Sequence, residues 1–378
     1  MRPQPGRLGE LARLFTRLGF TAFGGPAAHI AIMREEVVDR RSWVTNERYT
    51  DLLGITNLIP GPNSTEMAMQ IGRERAGWRG LVVAGACFIL PAASIVVLLA
   101  WLYVRYGTRP AVHDLLIGIK PVTLVIIAQA LVKLAPAAAK TWLTRSVATA
   151  ALVAYLAGVN ELAVLAASAL VVGGATRLPH GAHGLMPLAL FGVAAGEVTQ
   201  RPGLGRIFFV FVKIGALLYG SGYVLVAFLR GDLVDRLGML SEQQLLDAVL
   251  IGQVTPGPLF TTATFIGYVL HGFAGAAVAT IAIFVPGFAF VAAIGPLADH
   301  VRERASARAL LDGVNAGALG LMAAVLWYLS KGSFNHWLEF VLAAAAAVAL
   351  WRSRVNSAWL VTAAASVGLI TGRIGWLA

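Results

Sequence analysis

The tripeptide Pro-Gly-Pro occurs twice in this chain of 378 residues, at positions 60–62 and 256–258. The segments around the two copies match each other with an offset of 196 residues, which becomes 195 after a single deletion. One slip across so long a stretch indicates duplicated architecture, and duplicated halves in a membrane protein usually enclose a binding site between them. The matching positions are Gly19/Gly215, Gly24/Gly220, Asp51/Asp247, Ile55/Ile251, Thr65/Thr261, Gly77/Gly272, Gly80/Gly275, Pro91/Pro286, Gly118/Gly313 and Trp142/Trp337.

The composition predicts a chain that spans a membrane. Hydrophobic residues make up 58% of it and charged residues only 13%, whereas soluble domains carry roughly 25% charged residues. Residues 81–104 and 273–298 contain no charge, and each stretch is long enough to cross a ~30 Å hydrocarbon core. We therefore expect an all-α polytopic membrane protein. The sequence shows no cleavable signal peptide, and its single cysteine, Cys87, excludes an intramolecular disulfide.

The segments around the two Pro-Gly-Pro motifs are too short and too polar for ordinary crossings. Proline cannot continue a helix and disfavours the helical conformation before it. Each motif is therefore predicted to break a re-entrant helical hairpin, with short helices at 49–58 and 63–72 in the first half and a hairpin at 243–267 in the second. The remaining predicted spans are 11–33, 80–104, 113–132, 146–159 and 162–176, then 207–229, 273–298, 309–330, 337–351 and 357–371.

Five crossings per half place the second half upside down relative to the first. The predicted domains are residues 1–176, a linker at 177–206, and residues 207–378. The loop after the first hairpin carries Arg73, Arg75 and Arg79, whereas the equivalent loop at 268–273 has no lysine or arginine. Opposite charge bias in equivalent loops is what inversion predicts, and the side richer in cations is assigned to the cytoplasm. The cations behind the net charge of +11 flank hydrophobic spans, so no nucleic acid partner is expected.

The hairpin tips are the first candidates for an anion site. A helix N-terminus carries unpaired N–H groups and roughly half a positive charge. Glycines within the first span of each half permit either close packing or a break that exposes backbone amides. Lys120 and Lys213 are charges at membrane depth, which face a cavity or else extend to an interface. The predicted substrate-binding residues are Gly24, Gly25, Pro60, Gly61, Pro62, Asn63, Ser64, Thr65, Gly220, Ser221, Gly222, Pro256, Gly257, Pro258, Thr261, Thr262, Lys120 and Lys213. The alternative is that Pro-Gly-Pro is merely a tight structural turn.

Proton coupling requires a titratable group near the cavity. Glu66 lies one turn beyond the first tip, where the second half has Thr262, and His29 and Glu35 are the other predicted proton-coupling residues. The alternative for each is a solvated cap or a surface ion pair. The sequence contains no metal-ligand spacing and no nucleotide-binding fingerprint, so neither a metal nor a cofactor is expected, and the chain is not expected to be an enzyme.

These motifs resemble the chromate ion transporter family in its long-chain, two-domain form. The first half carries Phe-Gly-Gly-Pro-Ala-Ala-His-Ile at 23–30, Arg-Glu-Glu at 34–36, Leu-Ile-Pro-Gly-Pro-Asn-Ser-Thr at 58–65 and Arg-Ala-Gly-Trp at 75–78. The second half is similar to the family's second domain through Lys-Ile-Gly-Ala at 213–216, Gly-Ser-Gly-Tyr at 220–223 and Thr-Pro-Gly-Pro-Leu-Phe-Thr at 255–261. The second half departs from Phe-Gly-Gly-Pro, so the halves are not expected to contribute equally.

The resemblance implies efflux of chromate across a bacterial or archaeal inner membrane, energised by the proton motive force. Sulfate has the same shape and charge as chromate, so transport of sulfate or of another small oxyanion is an alternative, as is a passive anion channel. The expected partners are the oxyanion and the lipid bilayer, and a homodimer is compatible with the sequence.

Overall fold

The described part of the chain is helical throughout its regular structure. The computed structural model describes residues 5–23, 25–57, 59–107, 109–175, 203–218, 224–294, 305–331, 333–334, 336–352 and 357–374. The first half contains α1 (Pro5–Thr21), α2 (Gly25–Arg34), a π-helix (Glu35–Arg40), α3 (Asn46–Thr56), α4 (Asn63–Tyr106), α5 (Pro110–Ala138), α6 (Trp142–Leu156) and α7 (Glu161–Ala175). The second half contains α8 (Leu204–Leu217), α9 (Leu225–Leu229), a π-helix (Arg230–Arg236), α10 (Glu242–Val254), a 3₁₀ turn (Leu259–Thr261), α11 (Thr262–Ile294), α12 (Ala305–Lys331), α13 (Trp337–Arg352) and α14 (Ser357–Arg373).

The first predicted span of each half is wrong as a continuous helix. In the first half α1 ends at Thr21, and α2 begins at Gly25, whose φ of +79° is accessible to glycine at little cost. In the second half α8 ends at Leu217, and the next α-helix begins at Leu225. Hydrophobic composition continues across both breaks, so span length alone could not locate them.

The helices after the Pro-Gly-Pro motifs turn back on themselves. Inside α4, Ala76 and Gly77 leave helical geometry, with Gly77 at φ +62°. Inside α11, the equivalent residues His271 and Gly272 do the same, with Gly272 at φ +59°. The first arm of each helix is the short helix that follows the motif, and it runs a little further than the predicted end at residue 72.

Glycines allow the two arms of α4, and likewise the two arms of α11, to pack backbone to backbone. A methyl group on Gly72 would collide with the carbonyl of Gly80, and a methyl group on Gly80 would collide with the carbonyl of Gly72. Gly267 and Gly275 form the matching pair in α11. Side chains at these positions would force the arms apart, so the glycines set the close spacing of the hairpins.

The last helices of each half pack against the opposite half. Helices α6 and α7 lie against α12, whereas α13 and α14 lie against α5. Gly118 of α5 approaches the backbone of Ala364 in α14, and the equivalent Gly313 of α12 approaches the backbone of Ser168 in α7. Helices α4 and α11 also contact each other, as do α5 and α12. The packing arrangement is therefore unchanged when the two halves are exchanged.

Four helices in the described part of the chain are long and apolar enough to cross a membrane. They are Asn63–Tyr106, Asp114–Ala138, Leu259–Ala293 and Arg308–Lys331, and shorter apolar helices accompany them. Large apolar side chains such as Trp142, Phe209 and Trp359 are exposed on the outside, as expected for surfaces in contact with lipid. The all-α membrane architecture is thus confirmed, while five crossings per half remain a prediction.

Candidate functional site

A cavity of about 800 Å³ lies between the two halves. Its walls come from the start of α2, the ends of α3 and α10, the start of α4, the second half of α5 and the middle of α12. The residues that line it are Phe23, Gly25, Pro26, Ala27, Ala28, Ile30, Asn57, Asn63, Ile126, Gln129, Ala130, Lys133, Leu134, Ala137, Ala138, Lys140, Val224, Gln253, Asn315, Ala318, Leu319, Met322 and Leu350.

Carboxamide side chains supply most of the polar groups of the cavity wall. Asn57 and Gln253 stand at equivalent positions, each three residues before a Pro-Gly-Pro motif. Asn63 donates from Nδ2 to Asn57 Oδ1 at 2.9 Å. The buried Nε2 of Gln253 has no hydrogen-bond partner among the described residues. A buried amide without a partner is costly, so a turn of the Gln253 side chain toward a ligand in the cavity would gain a hydrogen bond.

Two helix N-termini reach the same cavity. Gly25, Pro26, Ala27 and Ala28 form the first turn of α2, and Asn63 is the first residue of α4. The first N–H groups of a helix have no partner within the helix and point along its axis. Helix N-termini favour anions over cations, and the carboxamides of the wall can donate hydrogen bonds to one.

Two lysines of the first half add positive charge to the cavity. Lys133 lies near the end of α5 and is exposed, and Lys140 follows that helix. Lys140 Nζ lies 3.6 Å from Asp312 Oδ1, and both side chains are largely exposed. Exposed charges of this kind contribute little to stability but raise the local concentration of anions at a cavity mouth.

The glycine amides of the Pro-Gly-Pro motifs are already hydrogen-bonded. Gly61 N donates to Leu218 O at 2.8 Å, and Gly257 N donates to Ala22 O at 2.9 Å. The two bonds are equivalent under the 196-residue offset, and each joins one motif to the end of the first helix of the other half. The prolines on either side have no N–H. In this conformation Pro60, Gly61, Pro62, Pro256, Gly257 and Pro258 therefore connect the halves and offer no free amide donor to an anion.

The predicted hydroxyl ligands are also turned inward. Thr261 Oγ1 donates to Pro258 O at 2.9 Å, and Thr262 Oγ1 donates to Leu259 O at 2.8 Å. Ser64 and Thr65 are buried, and neither lines the cavity. Of the predicted polar residues at the tips, only Asn63 reaches the cavity wall.

Glu66 is buried directly beneath the first tip. Its side chain is 0% exposed, and neither carboxyl oxygen has a hydrogen-bond partner among the described residues. The carboxyl lies against Gly61, where a Cβ would collide with Oε1, and faces Gly287 of α11. An ionised carboxylate without partners is strongly disfavoured in such a place, so the structure accommodates Glu66 in its neutral, protonated form.

His29 and Glu35 occupy different surroundings from Glu66. His29 is buried, its Nε2 lies 3.0 Å from Ala22 O, and its ring meets Phe88 edge to face. A carbonyl only accepts, so Nε2 is the donor, and it shares Ala22 O with the Gly257 amide. Glu35 forms an exposed ion pair with Arg40 at 2.6 Å. His29 thus supports the junction between halves, whereas Glu35 is a surface residue.

Lys213 is held by carboxylates. Its Nζ lies 2.6 Å from Asp232 Oδ1, and both side chains are buried. Arg236 also pairs with Asp232 and lies 3.3 Å from Glu161 of the other half. The Lys213–Asp232 pair is equivalent to Arg17 and Glu36 of the first half, whose side chains are 2.7 Å apart. The Lys213 charge is therefore compensated within the protein, and Lys213 does not line the cavity.

Asp247 is a buried acid of the second half that lies within range of the Lys120 charge. Asp247 is 2% exposed and accepts hydrogen bonds from Tyr103 and from Gln243, each at 2.9 Å. The positive charge of Lys120 acts on this carboxyl from α5. Lys120 is also absent from the cavity wall.

Four predicted site residues, Gly24, Gly220, Ser221 and Gly222, lie outside the described residues.

Several cavity residues were not predicted from the sequence. Gln129, Gln253 and Asn315 line the wall, as do Asn57 and the two lysines. One sequence signal was present: a carboxamide precedes each Pro-Gly-Pro motif at the same distance. The lysines read as ordinary loop cations because their position beside α12 depends on packing between halves.

Comparison with known proteins identifies related sequences. The family described as Chromate transporter matches residues 9–173 and, a second time, residues 205–369. A chromate transport protein of Cupriavidus metallidurans is 30% identical over 96% of this chain and 93% of its own length. A chromate transport protein of Pseudomonas aeruginosa is 29% identical over 99% of this chain and 93% of its own length. No solved structure matches the chain.

Proposed function

This chain belongs to the chromate transporter family, and from that premise we propose that it is a secondary carrier that exports chromate across the inner membrane, driven by the proton motive force. The substrate site of this carrier is the cavity between the halves. A small oxyanion of charge −2 matches carboxamide donors, two helix N-termini and nearby lysines. The observation that carries the assignment is Gln253, which lines the cavity and whose buried Nε2 has no hydrogen-bond partner among the described residues.

The proposed carrier has inverted halves of five crossings each, with domains at residues 1–176 and 207–378. The symmetric exchange of helices between halves supports a two-fold relation between them, and the opposite charge bias of equivalent loops favours an axis in the membrane plane. In this arrangement the helices on either side of each Pro-Gly-Pro motif form a re-entrant hairpin. The two tips meet the opposite halves through the bonds from Gly61 and Gly257.

Glu66 is the proposed proton-carrying group. It lies three residues after Asn63, a cavity residue, and the second half has Thr262 in its place. A carboxyl that is neutral in one conformation and exposed to water in another would release its proton there. Proton binding on one side and release on the other would couple oxyanion export to the proton gradient.

Uptake into everted membrane vesicles tests the substrate and the coupling together. Labelled chromate is expected to accumulate inside the vesicles when the lumen is made more acidic than the medium and no chromate gradient is imposed. The initial uptake rate should saturate with chromate concentration. Vesicles without the protein are the control. Accumulation of sulfate instead of chromate would reassign the substrate, and flux that neither saturates nor responds to the pH gradient would indicate a passive channel.

A further inference from the structure

The open cavity is bordered by positions whose equivalents in the other half are closed. Its lining residues from α5 and α12 have partners under the 195-residue offset, and those partners occur in the exchanged helices. Gln129 and Ala130 border the open cavity and are partly exposed, whereas their partners Ala324 and Val325 are 0% and 2% exposed. Because the fold is symmetric under exchange of halves and the cavity is not, the structure represents one of two related conformations.

Three side chains fill the space that corresponds to the open cavity. The Arg230 guanidinium lies 3.7 Å from the ring centroid of Tyr328, and the Tyr155 ring lies 6.3 Å from that of Tyr328. Arg230 is nearly buried and pairs with Asp235 and Glu242, each at 2.6 Å. A desolvated guanidinium over an aromatic face is a favourable contact, so this cluster closes the space between α6, α12 and the second π-helix.

The equivalents of these three residues are separated on the open side. Tyr328 corresponds to Lys133, Tyr155 to Leu350 and Arg230 to Arg34. Lys133 and Leu350 both line the cavity, and Arg34 remains about half exposed, bonded to Asn46 at 3.0 Å and to Asp39 at 3.3 Å. Asp39 and Asn46 correspond in turn to Asp235 and Glu242. The same set of positions is thus open in one half and closed in the other.

The cavity residues of α12 also have informative partners. Asn315 corresponds to Lys120, and Ala318 corresponds to Thr123. Thr123 is 0% exposed and Lys120 is partly exposed, and neither lines the open cavity. When the halves exchange conformations, Lys120 takes the place that Asn315 has now. A lysine in that place adds a charge to the carboxamides for binding a dianion.

We infer that the protein has a second oxyanion cavity, closed in this structure, which opens on the opposite side of the membrane and contains Lys120 and Thr123. The cluster of Arg230, Tyr328 and Tyr155 separates when this cavity opens. The inference rests on the proposed carrier function, because only a carrier requires alternating access from both sides.

Single cysteines test the inference, and the chain offers a simple background because Cys87 is its only cysteine. In the Cys87→Ser protein, Ala318→Cys and Thr123→Cys form a matched pair. Each variant is treated with a membrane-impermeant maleimide in right-side-out and in everted vesicles. Ala318→Cys is expected to react from one side and Thr123→Cys from the other. A state populated at about 1–10% still reacts, at a rate about 10- to 100-fold below that of an open site.

A second matched pair guards against misfolding at the buried Thr123. Ala130→Cys, at a partly exposed position of the open cavity, and Val325→Cys, at the equivalent buried position, are expected to react from opposite sides. Reaction of both members of each pair from the same side would overturn the inference, as would failure of Thr123→Cys and Val325→Cys to react from either side. Chromate uptake by the Cys87→Ser protein is measured separately, so loss of the proposed substrate would be distinguished from loss of the second cavity.

Lys120→Gln provides a test by transport. The KM for chromate presented on the Thr123 side is expected to rise about 10- to 100-fold, as for loss of one hydrogen bond to a charged group. The KM for chromate presented on the other side of the membrane, from which Ala318→Cys reacts, should stay the same. An equal rise in KM on both sides, or no rise on the Thr123 side, would contradict the role of Lys120 in the second cavity.

Discussion

Single side chains at the cavity wall decide how tightly an oxyanion is held. Gln253 is the clearest unpaired donor, because its Nε2 is buried and has no partner among the described residues. Replacing it with leucine keeps the size of the side chain and removes the amide. The effect of this change is therefore on ligand binding, since no protein–protein hydrogen bond of that nitrogen is lost.

We expect Gln253→Leu to raise the KM for chromate uptake about 10- to 100-fold while the thermal midpoint in detergent stays near that of the unmodified protein. Gln253→Asn, which keeps a shorter amide, should recover part of the affinity. The measurement is initial uptake rate against chromate concentration. An unchanged KM in the leucine variant would remove Gln253 from the binding site.

Glu66 is the residue at which a proton gradient would act. We expect Glu66→Gln to retain the fold, because the amide has the size of the carboxyl and the carboxyl makes no hydrogen bond among the described residues that would be lost. Chromate exchange at equal concentrations on both sides should continue, while accumulation driven by a pH gradient should be lost. The comparison is made in proteoliposomes at matched protein density. Accumulation equal to that of the unmodified protein would show that the coupling proton is carried elsewhere.

Glu36 gives a pH dependence of stability with a defined sign. Burial alone would raise the pKa of Glu36, but hydrogen bonds and charges from Arg17 and Arg41 outweigh burial and hold the pKa below its ordinary value. A lowered folded-state pKa contributes stability above the unfolded-state pKa, and this stability is lost as the pH falls through the folded-state pKa.

Glu36→Gln is therefore expected to lower the thermal midpoint at neutral pH, and the difference from the unmodified protein should shrink as the pH is lowered. Glu35→Gln is the matched control, since Glu35 forms only an exposed pair with Arg40 and should change the midpoint little. A midpoint difference that stays constant with pH would mean that Glu36 acts through packing rather than through its charge.

At the scale of elements, the turn inside α4 depends on two different properties of glycine. Gly77 has a φ of +62° and open space where a side-chain methyl group would lie, whereas Gly72 lies against the Gly80 backbone. The first glycine permits the turn, and the second permits the close approach of the arms. These two effects should have different costs.

Gly77→Ala is expected to cost about 1–3 kcal/mol, because φ +62° combined with ψ −147° is a backbone conformation essentially reserved for glycine. Gly72→Ala should cost more, because backbone atoms rather than a flexible side chain must move. Gly9→Ala in α1 is the control, since nothing lies near its Cβ. Thermal unfolding in detergent ranks the three variants. A Gly72→Ala midpoint at or above that of Gly77→Ala would contradict the packing of the arms.

The elements also show where sequence patterns succeed and fail. Charge-free stretches predicted the long second arms of α4 and α11, and the proline motifs correctly separated α3 from α4 and α10 from α11. The breaks after Thr21 and Leu217 were not placed as helix boundaries. The glycines near them permitted a break but permitted close helix packing equally, so the sequence did not choose between a broken and a continuous helix.

At the scale of the whole molecule, the cavity is created by contacts between halves. Lys133 and Asn315 are far apart in sequence and meet only because α5 and α12 pack together. Repetition within the sequence indicated that a site lies between halves, but it did not indicate which face of each helix meets the other. The sequence therefore pointed to the glycine amides of the Pro-Gly-Pro motifs as anion donors, whereas in the structure these amides donate to the carbonyls of Leu218 and Ala22.

Exchange of helices between halves predicts that the two halves require each other. Residues 1–176 and 207–378 expressed together as separate chains should co-purify and restore chromate uptake, because α6 and α7 pack on α12 while α13 and α14 pack on α5. Either half expressed alone should be degraded or should aggregate. Stable accumulation of a single half as a monomer would contradict the exchanged packing.

The backbone contacts between Gly118 and Ala364, and between Gly313 and Ser168, also limit how the two copies diverge over time. The atoms that a side chain would meet there belong to the neighbouring backbone, so no substitution in the other copy can make room for it. Both glycines should consequently be retained together, although they lie in distant parts of the gene. Duplication gave the chain two versions of one bundle, and their interlocking in the lipid keeps them evolving as a single unit.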